Sequence, residues 1–279
     1  MIGIGTWYKR SSKRFKRSLS LAVGCVGLIS TFMSIMGVTL CDCLNSFLWR
    51  IIVVIGIVII LIALFYFCIG CKYAHSVTVE TRSTDVTISC GDIFKTRGWK
   101  VIGCDTHFDT RVDDVVISKN SLHGKLVLEH GDRDEIIAAV NREASRLKLS
   151  INEDGMYDFP LGSIVRYESS RDNQTYLLLA MTELDANYEA HTNFTEFESM
   201  LTKMWREISR VYAGHEIVLP LLGSGISRFD GSQKRREDLL KCMLCTLNGS
   251  GLTFNSKFKI VIYGDTKDIP LYEFKDIFC

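Results

Sequence analysis

Two stretches without a single charge constrain this chain more than anything else in it. Ser18–Leu40 runs for 23 residues and Ile51–Gly70 for another 20. At 1.5 Å per residue, a helix over either one crosses a hydrocarbon core of about 30 Å. The first run follows a leader with Lys9, Arg10, Lys13, Arg14, Lys16 and Arg17 and no acid. A secretory signal has such a leader, but its apolar core is roughly 7–15 residues and no second run follows at once. The pattern predicts a basic leader over 1–17 and a transmembrane helical hairpin over 18–71. Its spans lie at about 18–40 and 51–70, with the turn around Cys41–Ser46. The positive-inside rule keeps the leader in the cytoplasm, and two crossings return residues 72–279 to the same side. The expectation is a multi-pass protein of the cytoplasmic membrane.

The spans are not uniformly bulky. Ser20, Gly24, Gly27, Thr31 and Ser34 put small residues on one face of the first, and Gly56, Ala63 and Gly70 make a sparser stripe on the second. Small faces let membrane helices approach closely. These two can pack on each other within the hairpin or mediate assembly between chains. Trp49 and Arg50 fit an interfacial anchor. Of the ten cysteines, Cys41-x-Cys43 and Cys68-x-x-Cys71 have zinc-like spacing, but opposite ends of a span cannot share one metal. Inert buried thiols, or lipidation at Cys68 or Cys71, are the readings left, and no metal is expected.

From residue 72 onward there are 26 basic residues (33 less the six of the leader and Arg50) against 31 acidic ones (32 less Asp42), a net of −5. A general nucleic-acid binder carries a basic face, and none is evident here. Runs at Val77–Arg82, Val86–Cys90, Lys100–Asp105, Gly162–Tyr167, Thr175–Thr182, Ile217–Leu222 and Lys257–Tyr263 read as strands. Asp132 with Glu135, and Asn193 with Glu196, open helices with capping-box spacing. Ile136, Val140, Ala144 and Leu147 form the core stripe of the first, and Phe194, Phe197, Leu201, Met204, Ile208 and Val211 that of the second. Ser232 stands at an N-cap position before Leu239, Leu240, Met243, Leu244 and Leu247. This alternation predicts an α/β fold, a three-layer mixed sheet with helices on both faces, behind the hairpin.

In such sheets ligands bind beyond the carboxyl ends of the strands. The loops Gly91–Phe94, Asp105–Asp114 and Gly223–Phe229 are expected to converge there. Gly223-Ser224-Gly225 follows an apolar strand and precedes a helix, an arrangement that serves either an ordinary turn or a phosphate cradle of backbone N–H groups. It lacks the lysine and spacing of a nucleotide-hydrolysing P-loop. Asp105, His107, Asp109, Asp113 and Asp114 crowd one loop. Turn chemistry, a divalent metal and recognition of a cationic ligand group are the three readings of that crowding. His75, His130, His191 and His215 read as structural or solvated.

Gly91-Asp92-Ile93 at a strand end, WKVIGCD with its loop, HEIVLPLLGSGISRF, and the closing helix and strand Ser232–Leu247 and KFKIVIY resemble a macro domain, the ADP-ribose-binding fold, over roughly Val77 to Asp265. With the hairpin in front and the run GDIFKTRGWKVIGCDTHFDTRVDDVVISKNSLHGKLV, the chain looks like the membrane-anchored macro-domain effectors of bacterial Thoeris anti-phage systems. That resemblance assigns 77–279 to a macro-like ligand-binding domain. It implies a partner TIR-domain enzyme, with no direct contact required, that makes an ADP-ribose-containing signal from NAD. The macro domain binds the signal, the chains assemble into a homo-oligomer and the spans damage the membrane.

The resemblance also implies roles for residues. Asp92 accepts from the adenine amino group with Ile93 beside it, the backbone of Leu222, Gly223, Ser224, Gly225, Ile226 and Ser227 wraps the diphosphate, and Phe229 stacks on a ribose or base. Ser121, Leu122, His123 and Gly124 stand where the family has its first glycine loop, with a single glycine. Cys104 and Asp105 stand where hydrolytic macro domains commonly have asparagines, which argues for binding without turnover. The alternative is a membrane-tethered ADP-ribosyl hydrolase. Asp105 and His107 lie where a group attached to the distal ribose would be read, and their charge favours a cationic one such as an amino-acid conjugate. No cofactor beyond this ligand is implied.

Overall fold

In a computed structural model the described residues are 4–35, 47–73, 75–153, 155–184, 190–225, 228–229, 234–264, 269–275 and 277–278. They form two compact units, Met1–Val77 with Pro270–Ile277, and Thr78–Ile269 with the last two residues.

The first unit holds two long helices, α1 (Ile4–Ile35) and α2 (Phe47–Lys72). The windows long and apolar enough to cross a membrane are Arg14–Ser34 and Ile51–Cys71, with mean hydropathy 1.3 and 3.3. Leu28, Phe32, Ile59, Ile60 and Phe67 stand exposed along them. The expected turn at 41–46 and the last residues of the first expected span lie outside the described residues. Helix α1 continues back through the basic leader, and Arg14 is its main polar tie to α2. Its Nε donates to the Tyr66 carbonyl at 2.8 Å, Nη2 reaches the same oxygen, and Cζ lies 3.8 Å from the Tyr66 ring centroid. A Cβ at Gly70 would run into the guanidinium, so the glycine leaves the arginine its place.

The tie also selects the packing face. Ser18 and Ala22, four and eight residues after Arg14, are the buried positions of α1 among the described side chains. The stripe from Ser20 to Ser34 is exposed instead, and a Cβ at Gly24, Gly27 or Gly56 would meet nothing within 4 Å. The two small-residue stripes therefore do not pack on each other. The short helix α7 (Leu271–Phe274) joins this unit, with Tyr272 5.2 Å from Tyr73 ring to ring.

The second unit is built on a sheet of nine strands among the described residues: β1 (Ser76–Glu80), β2 (Asp85–Cys90), β3 (Trp99–Asp105), β4 (Ile164–Glu168), β5 (Thr175–Leu184), β6 (Ala190–Thr192), β7 (Ile217–Pro220), β8 (Arg228–Phe229) and β9 (Phe258–Ile262). Their order is β1-β2-β9-β7-β3-β5-β6-β8, with β4 on β5. The central pairs β2–β9, β9–β7, β7–β3 and β3–β5 are parallel, whereas β4–β5 and β5–β6 are antiparallel. Parallel strands need cover on both faces, and alternation along each strand provides two apolar faces. Ile102, Cys104, Tyr176, Leu178 and Ala180 pack with Ile136, Ala139, Val140 and Ala144 of α4 (Arg133–Leu147). The intervening Val101, Leu177 and Leu179 are buried on the other face, which α5 (Phe194–Val211) and α6 (Arg236–Asn248) cover. This is a mixed α/β sheet with helices on both faces, as the strand–helix alternation predicts.

Local signals hold where short-range chemistry governs. The capping box of Asn193 and Glu196 is complete. At α4 the box opens: Asp132 accepts from the Asp134 and Glu135 amides, but its own N–H donates to the Tyr167 hydroxyl at 2.8 Å, which donates to Glu135. Hydrogen bonds from Ser170 hold the Glu135 carboxyl below its ordinary range. Ser232 lies outside the described residues, and α6 begins at Arg236 with Arg235 as N-cap. Ser121–Gly124, which the resemblance places at a glycine loop, opens a helical turn α3 (Leu122–Lys125) that runs into one π-helical turn, Leu126–His130.

Trp205 is 1% exposed, with Nε1 donating to Thr246 at 3.1 Å and Phe258 nearby. Trp205→Ala should cost about 3–5 kcal/mol and Asn193→Ala about 1 kcal/mol. Melting of the full chain in detergent should rank wild type above Asn193→Ala and that above Trp205→Ala.

Candidate functional site

Strands β2, β9, β7, β3 and β5 run the same way, and a cavity of about 1110 Å³ opens at their carboxyl ends. From β2 to β3 it spans three strand spacings, about 14 Å. One end is built by Asp92 and Ile93. Asp92 Oδ1 accepts from the Phe94 N–H at 3.0 Å and Oδ2 lies 3.9 Å from Lys95. Phe94 stacks on His130, centroids 4.1 Å apart and planes at 8°, and His130 Nδ1 is 3.3 Å from Asp172. His130, expected to be structural or solvated, is part of the wall.

The middle is the turn after β7. Ser224 donates to the Leu221 carbonyl from N–H and hydroxyl, and Gly223 takes φ +76°, a conformation that favours glycine. Leu221, Ser224 and Gly225 line the cavity, whereas Leu222 and Gly223 are buried without lining it. Ile226 and Ser227 lie outside the described residues, as does the side chain of Phe229. Strand β8 stands between this turn and α6, so the helix does not follow the glycines directly as expected. Its first residue, Arg236, still reaches the cavity.

The other end is Asp105 and His123. The β3–β5 register slips between Cys104 and Asp105, pairing Asp105 with Thr182. Such a bulge re-aims a side chain. Asp105 Oδ1 accepts from the N–H of His107 at 2.8 Å and of Asp109 at 3.3 Å, while Oδ2 lies 3.9 Å from His123 Nδ1. Ser121 caps α3, accepting from the Gly124 N–H at 2.9 Å. A Cβ at Gly124 would run into the Ser118 carbonyl, which accounts for the one glycine there. Ser121, Leu122 and His123 line the cavity and Gly124 does not. Burial and neighbouring Asp105 push the Cys104 thiol well up, so it stays protonated.

The acidic loop does not converge as expected. His107 is not part of the lining: its Nδ1 is 3.0 Å from Asp158 and 3.1 Å from the Tyr157 carbonyl. Asp109 accepts from the Arg111 N–H, Asp113 from Val115 and Val116, and Asp114 from Lys119. Those amides hold the Asp113 and Asp114 carboxyls below their ordinary range. The aspartates beyond Asp105 serve the loop's own backbone, and among the described residues no cluster suits a metal ion.

Sequence reasoning missed Lys125, Arg236 and Tyr263. Tyr263 follows β9 and is 78% exposed on the rim. Lys125 Nζ lies 5.7 Å from its ring and Arg236 donates to its carbonyl at 3.3 Å. The strand-end rule that selected Asp92 would have found Tyr263 as well. Lys125 needed the helical turn to be recognised.

Burial holds His123 below its ordinary 6.5, against the opposing pull of Asp105 and Asp109. Below about pH 6.5 the unfolded chain therefore takes up a proton that the folded chain does not, and stability falls with pH. Melting of the full chain between about pH 7.5 and 5 should fall less steeply for His123→Gln; an identical slope would place the titration elsewhere.

The family model of the Thoeris protein ThsA macro domain matches residues 86–263. The Thoeris protein ThsA of Bacillus amyloliquefaciens (strain Y2) is 28% identical over 272 residues, 95% of this chain and 90% of that protein. Among solved structures, a variant of the Oceanobacillus iheyensis macrodomain with ADPR is 13% identical with TM-score 0.48, over 71% of this chain and 95% of that one. The same macrodomain with ADP is 13% identical with TM-score 0.46, over 72% and 94%. With most of its length matched by that family model, the chain belongs to the Thoeris ThsA macro-domain family.

Proposed function

We propose that this protein is a membrane-anchored defence effector whose macro domain binds an ADP-ribose-derived nucleotide made by a TIR-domain partner. Amino-acid conjugates are among the forms the cavity takes. The observation that carries the reading is the cavity itself, which is dinucleotide-sized and lies at the carboxyl ends of five parallel strands. Asp92 offers Oδ2 to the adenine amino group, and Ile93 and Tyr263 frame the base. The turn at Ser224 and Gly225 lies against the diphosphate, which Lys125 and Arg236 hold. Helices α1 and α2 anchor the chain as a multi-pass protein, and the basic leader keeps its start in the cytoplasm beside the macro domain. Binding promotes assembly of chains, and the exposed small-residue face of α1 supports close helix contact in the disrupted bilayer. The protein acts by binding, not turnover, since Cys104 and Asp105 stand where the resemblance places the asparagines of hydrolytic macro domains.

The full chain in nanodiscs is expected to bind ADP-ribose in calorimetry and leave it chemically unchanged. A side chain at Gly225 meets nothing within 4 Å, so Gly225→Glu should keep its melting temperature and lose binding, as its carboxylate opposes the diphosphate. Unchanged affinity in that variant, or steady consumption of ADP-ribose, would sink the assignment. A ligand shifts assembly only through differential affinity, so light scattering in detergent should show a larger species with saturating ADP-ribose. A single unchanged mass would remove assembly from the mechanism.

A further inference from the structure

The basic leader is not a separate tail. Helix α1 runs without a break from Ile4 through the leader into the first apolar run, so the helical repeat fixes where each leader cation stands. At about 100° per residue, the positions of Lys9, Arg10, Lys13, Arg14, Lys16 and Arg17 fall within an arc of about 160°. The positions of Ile4, Tyr8 and Phe15 fall on the opposite side. A basic face backed by apolar and aromatic residues is the pattern of a helix at a membrane surface.

The rotation of α1 is set by described side chains. Arg14 is tied to the Tyr66 carbonyl, and Ser18 and Ala22 are buried in line with it. The positions of Lys9, Lys13, Lys16 and Arg17 lie roughly 100° or more around the axis from Ser18, turned away from that contact, and the side chains of Lys16 and Arg17 are exposed. The neighbouring sequence offers no counter-charge: no acid occurs from Met1 to Cys41 or from Cys43 to Val79. Height is fixed as well. From Arg17, which abuts the charge-free run, back to Lys9 the helix rises about 12 Å. The headgroup region on one side of a bilayer is about 5–8 Å deep, so these cations begin inside it and end just beyond it. An unbroken helix has no slack with which to fold this face back onto the acidic domain.

We infer that the face made by Lys9, Arg10, Lys13, Lys16 and Arg17 binds anionic phospholipid headgroups in the leaflet from which α1 enters the bilayer. Arg14 spends its guanidinium on Tyr66 and takes no part. Each cation held at an anionic leaflet strengthens the attachment about fivefold. The apolar span inserts into any bilayer, whereas this face selects among lipids and holds α1 at one depth and one rotation.

The inference rests on the membrane-anchored reading, and the test separates the two without any nucleotide present. The full chain is reconstituted in phosphatidylcholine nanodiscs and then extracted into neutral detergent. Phosphatidylglycerol and phosphatidylcholine are titrated in separately, and bound lipid is counted by native mass spectrometry. The wild type should bind phosphatidylglycerol the more tightly, with a smaller margin at about 0.5 M salt than at about 0.05 M. Lys9→Gln with Lys13→Gln should lose about tenfold for phosphatidylglycerol and nothing for phosphatidylcholine, while Lys9→Arg with Lys13→Arg should keep both affinities. Equal binding of the two lipids by the wild type overturns the lipid face and leaves the anchoring standing. So does an unchanged phosphatidylglycerol affinity in the glutamine variant, or an equal loss in the arginine one. A lower melting temperature in the glutamine variant with its lipid preference intact would instead place the leader on the acidic domain, and also overturns the inference. A chain that does not enter nanodiscs overturns both readings.

Discussion

A parallel ladder has to be buried on both faces, and that requirement decides where the domain can keep a ligand site. With α4 on one face of β3, β5 and their neighbours and α5 and α6 on the other, only the strand ends remain open. The amino end of β3 is closed by polar satisfaction: buried Lys100 donates to the Gly98 carbonyl at 3.2 Å and to Gln174 at 2.9 Å. Burial lowers its pKa, with Asp172 opposing. The carboxyl ends are left open, and the ends of five parallel strands meet at one cavity. The bulge at Cys104 and Asp105 is the local irregularity that puts a carboxylate on its floor.

Under the proposed membrane anchoring, the other unit answers to a different solvent. Its helices expose Leu28, Phe32, Ile59 and Ile60, which would be a liability in water and suits hydrocarbon. Helix association in lipid has no hydrophobic drive and depends on close packing and polar ties. The contact between the Arg14 guanidinium and Tyr66 is such a tie, and one arginine explains the rotation of α1 that its small residues alone would not have set. Ser18 and Ala22 fall in line with it at four-residue spacing, and Gly70 leaves it room. Thr31 satisfies its hydroxyl on the Gly27 carbonyl of its own helix and needs no partner across the contact.

The sheet was legible in the sequence because apolar runs such as Val86–Cys90, Thr175–Thr182 and Lys257–Tyr263 are strands whatever surrounds them. Helix starts were legible where one side chain decides, as at Asn193, and less so where two elements share the work. Glu135 has the capping-box position, but Tyr167, from β4, intervenes and takes the bond. The site was legible in outline only. Asp92 and Asp105 follow from the strand-end rule, but the acidic loop misleads by composition, since Asp109, Asp113 and Asp114 satisfy nearby amides. His107 and His123 look equivalent in sequence. The loop turns the first onto Asp158, and the helical turn capped by Ser121 brings the second to the cavity wall. Lys125 and Tyr263 lie 138 residues apart, and no local pattern announces that they meet.

A domain with a net charge of −5 is an unlikely host for a diphosphate if net charge is what counts. Inside a cleft with low-dielectric walls the local arrangement matters more, because nearby dipoles and charges are screened less than distant surface ones. The acids of this domain are mostly spent elsewhere: Glu143 and Glu207 on Arg146 and Arg210, Asp238 on Arg235, Asp113 and Asp114 on their own loop. Around the cavity the balance reverses toward Tyr263, where Lys125 and Arg236 meet. The buried carboxylate of Asp105 stands at the far end. Acidity overall and a cationic half-cavity are then compatible, and the contrast between the two ends gives an elongated, unevenly charged ligand one way to lie.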